Sequence, residues 1–274
     1  MRAVSGAKDA LYGAMAQAAR RETGSRLVLD GTALLEAALQ AAADPGSGLV
    51  IHGVIWNEAG ASAPHVASLS ALVAERGGDV AVAGSALLGA LRVSPAVPAC
   101  VFLADKPLAR QQTPEEMLRD GVRRLLLLVS VLDPMNVGVI LRTAEAFGYE
   151  AIAVEDTADP RSRRAIRSST GSALRMTLRQ SHLPASAFVR GWRLGGGQAV
   201  ATSAHGPVSL GEMSWRLPHL VAVGNETHGL DPDVRQAAEA DVRIPMVGKA
   251  HSLNVTVATG IVIAAGLAAT HASG

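Results

Sequence analysis

Cysteine is nearly absent from this chain of 274 residues, which carries Cys100 alone. One thiol can build neither a disulfide framework nor a cysteine-ligated metal site. Aromatic residues are 3% of the total, too few for a protein that stacks single-stranded bases on successive rings. Excess charge is missing too. Lys and Arg number 25 against 24 Asp and Glu, a formal net charge of +1, so contact with a polyanion must come from a local patch. The 8 His show no H-x-x-x-H or similar ligand spacing, and no metal is expected. No long apolar run stands uninterrupted at the N-terminus, so no signal peptide is read there. The apolar run from Leu253 to Ala269 is broken by Asn254, Thr256 and Thr259 and is short for a bilayer span. A cytoplasmic protein away from membranes is expected. Gly195-Gly196-Gly197 precedes a strand, lacks the G-x-G-x-x-G spacing, and no G-K-[ST] occurs. Dehydrogenase and NTPase readings fall with those motifs.

Apolar residues reach 49% and charged residues 18%, which describes a folded globular chain long enough for two domains. The first part alternates helical and strand-like stretches. A helix is expected over residues 1–22, a strand from Arg26, and a helix from Thr32 to Ala43 that Asp44-Pro45-Gly46 stops. A strand at Leu49–Trp56, a helix at His65–Arg76, and further elements to Ala104 complete an α/β layer. Residues 105–122 mix Pro, Gln and both charge signs with little apolar clustering, and read as a linker. The expected organisation is a domain over 1–104, a linker over 105–122, and a second domain over 123–274.

The second domain carries the chemistry. Its strand at Leu125–Val131 leads into a helix over Met135–Phe147. Downstream, the strands Leu220–Val223 and Val242–Ile244 each end in a loop of small and polar residues. In α/β proteins ligands bind outside the carboxyl ends of such strands. Arg161, Arg163, Arg164, Arg167, Arg175 and Arg179 fall in one run without Asp or Glu. That run reads as a phosphate-contacting surface rather than only a solvated face, with Arg20, Arg21 and Arg26 as a second patch.

Three segments resemble the signature motifs of the SpoU (TrmH-type) class of SPOUT methyltransferases. They are Asn136-x-Gly138-x-x-x-Arg142, then Gly224-Asn225-Glu226-x-x-Gly229, then Ile244-Pro245-Met246 with Ser252-Leu253-Asn254. Upstream, RRETGSRLVLDGTALLEAAL resembles the start of an L30e-like RNA-binding domain, with Asp30 where that family usually has Glu. The resemblance implies a C-terminal SPOUT domain with a parallel sheet and trefoil knot, a smaller L30e-like α/β domain before it, and a homodimer. It also implies transfer of a methyl group from S-adenosylmethionine to a ribose 2′-hydroxyl, in 23S rRNA before other targets. The alternatives are a tRNA 2′-O-methyltransferase and a non-catalytic RNA-binding protein that keeps the fold.

The same resemblance assigns Arg142, Asn136, Glu226 and Asn254 to catalysis. It assigns Thr202, Gly224, Asn225, Ile244, Met246, Ser252 and Leu253 to the cofactor. A guanidinium only donates hydrogen bonds and stays charged, so Arg142 better suits a grip on the phosphate beside the ribose than a simple base. The plainer reading of Arg142 is a salt bridge with Glu145 or Glu226. The plainer reading of Asn136 is a helix N-cap. Glu226 is either an orienting carboxylate or a solvated turn residue.

Overall fold

The computed structural model describes every residue except 5, 7, 22, 23, 92, 94, 95, 155 and 272–274. The chain divides into two compact units. One comprises Met1–Leu108 with Arg161–Arg175, the other Ala109–Pro160 with Met176–Gly274.

In chain order the first unit contains β1 (Arg2–Ala3), α1 (Ala10–Arg20), β2 (Arg26–Asp30), α2 (Thr32–Ala41), β3 (Ile51–Asn57), α3 (Pro64–Glu75), β4 (Asp79–Ala83), α4 (Ser85–Ala90) and β5 (Cys100–Asp105). Its five-stranded sheet runs β1-β4-β3-β5-β2. β1, β4 and β3 are mutually parallel, while β5 runs antiparallel to both β3 and β2. β3 lies centrally and is buried along most of its length, with Val54, Ile55 and Trp56 fully buried. The helix expected over 1–22 is narrower. The Asp9 carboxylate accepts from the Leu11 and Tyr12 amides and starts α1 there. Residue 22, the last of that expectation, lies outside the described residues, as does Thr23 in the L30e-like pattern.

The second unit opens with β6 (Ala109–Gln111), α5 (Pro114–Arg119), β7 (Arg124–Leu128), α6 (Pro134–Ala146) and β8 (Glu150–Ala153). The chain then gives α7 (Arg163–Ser168) and α8 (Ser172–Arg175) to the first unit. It continues as β9 (Leu178–Gln180), α9 (Ala185–Leu194), β10 (Gln198–Thr202), β11 (Val208–Ser209), β12 (His219–Val223), α10 (Pro232–Ala237), β13 (Ala240–Arg243) and α11 (Val255–His271). The eight-stranded sheet runs β11-β13-β10-β12-β7-β8-β9-β6, with parallel pairing at every step. The Leu125–Leu128 run sits at its centre and is buried on both faces. Phe188, Val189 and Trp192 of α9 and Met117 of α5 pack into the same core.

The stretch read as a linker is therefore largely built into the second unit. Its β6 pairs with β9. Thr113 and Glu116 form a reciprocal capping box at the start of α5. The arginine run also differs from its expected form. Most of it belongs to the first unit, and Arg179 is instead a buried residue of β9 that pairs with Glu150. Among the described residues, no helix is long and apolar enough to cross a membrane.

A buried polar contact holds α11 to the sheet. His219, fully buried at the start of β12, lies 2.7 Å through Nε2 from the Tyr149 hydroxyl, which donates to the Ile263 carbonyl at 3.2 Å. Trp215 closes the other side of the imidazole, edge-on, at a centroid distance of 5.1 Å. Burial, then the nearby Arg124 charge, pulls the His219 pKa from 6.5 down to about 4. The unfolded chain thus takes up this proton first as pH falls, and stability drops through the window between those two values. Going from pH 7 to pH 5 should cost about 2 kcal/mol through this residue. Urea unfolding of the unmodified chain and of His219→Gln at both pH values checks it. The variant should lose about that much of the pH dependence, and an unchanged dependence would contradict the assignment.

Candidate active site

Three parallel strands, β10, β12 and β13, end side by side, and the start of α11 faces their carboxyl ends. A cavity of about 400 Å³ lies there, within the range of roughly 300–1,000 Å³ usual for small-molecule sites. The strand-end residues Thr202, Gly224, Asn225 and Ile244 line it, with Met246, Ser252 and Leu253 from the loop before α11. These are the residues the resemblance assigns to a cofactor, and the fold brings all of them to one cavity. Leu230, Val242 and Val262 add apolar wall. Thr202 uses its hydroxyl to donate to the Ala222 carbonyl at 2.9 Å, so its side chain braces β10 against β12.

The loop after β12 is closed on itself. Asn225 and Gly229 exchange two backbone hydrogen bonds, of 3.0 and 2.9 Å. The Asn225 side-chain oxygen accepts from the Thr227 and His228 amides at 2.9 and 3.0 Å. Its amide nitrogen donates to the Ser130 carbonyl at 3.0 Å. Asn225 can thus meet a ligand through its backbone, while its side chain is engaged in the loop. Gly229 turns the loop with φ of 69°, a conformation glycine takes without strain. Gly224 has no room for a side chain, since a Cβ there would stand 2.4 Å from the Gly229 backbone.

Glu226 projects from the tip of this loop and accepts a 2.9 Å hydrogen bond from the Asn136 side-chain amide. Asn136 is not the N-cap of α6. Asp133 fills that position, accepting from the Met135 amide at 2.9 Å, and Pro134 follows at the first helical turn. Relieved of capping, Asn136 reaches across to Glu226. Arg142 lies further along α6, exposed, and makes no ion pair or hydrogen bond among the described residues. The salt-bridge reading with Glu226 does not hold, because Glu226 faces Asn136. Asn254 caps α11, its Oδ1 accepting from the Thr256 amide at 2.8 Å and the Thr256 hydroxyl at 2.6 Å. Arg142, Asn136 and Asn254 stand outside the lining of the cavity, whereas Glu226 is part of it.

Of the expected RNA-contacting arginines all but Arg179 fall in the first unit. Arg164 is exposed. Arg167 donates to the Val93 carbonyl and pairs with Asp30 at 3.3 Å, so it serves the fold of that unit. Arg26 lies 3.6 Å from Asp105. Arg20 and Arg21 end α1, and Arg20 borders a separate hollow with Tyr12 and Leu91. Sequence reasoning missed His205, His228 and His251, which line the main cavity. They lie far apart in the chain and at no position the motifs specify, so the sequence carries no signal that joins them. Among the described residues no group of His, Cys, Asp and Glu is arranged to hold a metal ion.

Residues 123–264 match the SpoU rRNA Methylase family. The chain belongs to that family, whose members are SPOUT-class proteins of the TrmH type. An uncharacterized tRNA/rRNA methyltransferase of Mycobacterium sp. (strain KMS) is 37% identical over 153 residues, 53% of this chain and 46% of the relative. The 23S rRNA (guanosine(2553)-2′-O)-methyltransferase RlmP of Bacillus subtilis (strain 168) is 32% identical over 151 residues, 55% of this chain and 60% of the relative. The chain thus spans about half the length of the curated relatives it matches. Solved structures resemble it along nearly its whole length. The AdoMet-bound rRNA methyltransferase from Sinorhizobium meliloti has a TM-score of 0.78 at 25% identity, covering 97% of each chain. An RNA 2′-O ribose methyltransferase has a TM-score of 0.76 at 26% identity, covering 98% of this chain and 99% of that one.

The crowding at Gly224 gives a direct check on the loop. Gly224→Ala must push the Gly229–Leu230 backbone aside, and steric conflict of this kind costs about 1–3 kcal/mol. A fall in melting temperature of several degrees is expected by calorimetry. A variant as stable as the parent would show that the loop is not closed as described.

Proposed function

We propose that this protein methylates a ribose 2′-hydroxyl of RNA with S-adenosylmethionine as donor, and that 23S rRNA is the substrate. One observation carries the reading: the cavity at the ends of β10, β12 and β13 gathers the motif residues assigned to the cofactor, with Glu226 and Asn136 joined at its rim. The residues fit the group. The volume suits a nucleoside-sized molecule, Ile244, Met246 and Leu253 offer apolar surface for an adenine, and the glycine at 224 lets backbone come close. When bound, the cofactor supplies a methyl already activated on a sulfonium.

What remains for the chain is to align the hydroxyl and handle its proton. Glu226 is held in one place by Asn136 and presents negative charge at the rim. Arg142, without a partner of its own among the described residues, grips the phosphate beside the target ribose through its planar donor fork. That fixes the hydroxyl for in-line attack, and such alignment is worth up to roughly 7–11 kcal/mol. The named activity of the Bacillus subtilis relative, a 2′-O methylation of 23S rRNA, supports this choice of substrate. The first unit serves as the RNA-binding domain, with Arg20, Arg21 and Arg164 as phosphate contacts, and the protein works in the cytoplasm where its RNA lies.

The active form is a homodimer on this reading. Met135, Val139 and Arg142 share one face of α6. Met135 is 57% exposed and Val139 38%, and Val257 and Ile261 of α11 are 51% and 39% exposed. Large apolar side chains grouped on neighbouring helices suit burial against a second copy, and Arg142 then lies at the junction between copies. Replacing Val139 and Val257 together with Glu should yield a folded monomer by sedimentation. A double variant that stays dimeric would place the interface elsewhere.

Arg142→Ala separates catalysis from binding. S-adenosylmethionine affinity, measured by calorimetry with a chelator present, should stay within about threefold, while the single-turnover rate on 23S rRNA falls by roughly 10²-fold or more as alignment is lost. Arg142→Lys should fail similarly, since an ammonium lacks the fork. A near-normal rate in folded Arg142→Ala would remove Arg142 from the chemistry, and failure of the unmodified chain to bind the cofactor would remove the activity itself.

A further inference from the structure

Ser130 and Asn225 are joined in a way that the motif roles do not explain. Ser130 sits just beyond β7 with φ of 54°, in the left-handed region that L side chains other than Asn and Asp seldom occupy. Such conformations persist where the surroundings hold them and are concentrated at functional sites. What holds this one is visible. The Ser130 carbonyl accepts from the Asn225 amide nitrogen at 3.0 Å. The orientation of that amide is fixed, because its oxygen already accepts from the Thr227 and His228 amides. Flipping it would set nitrogen against two N–H donors and oxygen against a carbonyl.

The consequence is mechanical. One residue beyond Asn225 is Glu226. Three residues beyond Ser130 is Asp133, the cap that starts α6, and Asn136 and Arg142 follow on that helix. Just before Ser130, the Val129 amide donates to the Val223 carbonyl at 2.9 Å and seats the two strands side by side. The two chain segments are therefore tied first at Ser130 and Asn225, then again at Asn136 and Glu226. The first tie determines where the second can form.

We propose that Ser130 and Asn225 are positioning residues: the strained Ser130 carbonyl and the Asn225 side-chain amide form a clasp that sets α6, with Asn136 and Arg142, against the Glu226 loop. The inference rests on the methyl-transfer reading above. Asn225 acts here through Glu226 and α6 and not by side-chain contact with the cofactor. Ser130 lies outside the lining of the cavity, so disturbing it tests placement of α6 without touching the cofactor site.

The test uses the full-length protein, S-adenosylmethionine and an unmodified 23S rRNA transcript. Asn225→Asp replaces the donor facing Ser130 with an oxygen of the same shape. Ser130→Val opposes the left-handed backbone because of its branched Cβ, and Ser130→Gly accepts that backbone freely. Both Asn225→Asp and Ser130→Val should lower the saturated single-turnover rate by at least tenfold. The KM for RNA should stay within about threefold in both, and cofactor affinity should stay within about threefold in Ser130→Val. Ser130→Gly should run at least ten times faster than Ser130→Val. If Asn225→Asp does not fold, the comparison of the two Ser130 variants carries the test, and equal rates for those two overturn the clasp. Wild-type single-turnover rates in folded Asn225→Asp and Ser130→Val overturn it as well. An unmodified chain that transfers no methyl group overturns the parent reading instead, which keeps the two failures distinct.

Discussion

Two hydrogen bonds between chain segments that leave neighbouring strands govern the second unit. Asn225 to Ser130 and Asn136 to Glu226 span the gap between the ends of β12 and β7. Parallel pairing puts the ends of those strands side by side, but pairing alone leaves the loops beyond them undetermined. A loop that closes through Asn225 and Gly229, and a helix that starts at a defined residue because Asp133 caps it, turn two soft connections into fixed ones. The carboxylate at the cavity rim and the exposed arginine on α6 take their places from these contacts.

The polar groups divide by what surrounds them. His219 and Tyr149 are buried on α11's side of the sheet, where the His219 Nε2, the Tyr149 hydroxyl and the Ile263 carbonyl meet, so they hold structure. Arg179 is similarly committed to Glu150 in the sheet. Arg142 is exposed and lacks a partner among the described residues. A buried charge that is paired stabilises a fold conditionally. An exposed cation is available to an anionic partner.

The parts of the site legible in the sequence were those built from contiguous residues. Gly224, Asn225 and Glu226, or Ile244 and Met246, sit together in a loop because they sit together in the chain, and a strand run before them announces where the loop will be. Contacts between distant segments were not legible in the same way. Asp133 and Asn136 are both good caps, and only the proline at 134, favoured at the first helical position, marks Asp133 as the start of α6. An acid-free arginine run does not show that Glu150 lies across from Arg179, or Asp30 beside Arg167, because those partners come from other strands. The stretch 105–122 hid β6 and α5 because elements this short show no periodicity. Thr113-x-x-Glu116 was there to be read as a capping box and would have revealed α5. In the first unit the alternation of strands and helices was enough to locate most elements, since a layered α/β unit leaves few other arrangements.

The proposed reaction passes a methyl group from S-adenosylmethionine to a ribose oxygen. Incubating an unmodified 23S rRNA transcript with the protein and methyl-labelled S-adenosylmethionine, followed by nuclease digestion and mass spectrometry of the nucleosides, reads it directly. The account predicts label in a 2′-O-methylated nucleoside at a defined position. Label confined to a base, or none in RNA from a folded protein that binds the cofactor, would contradict it.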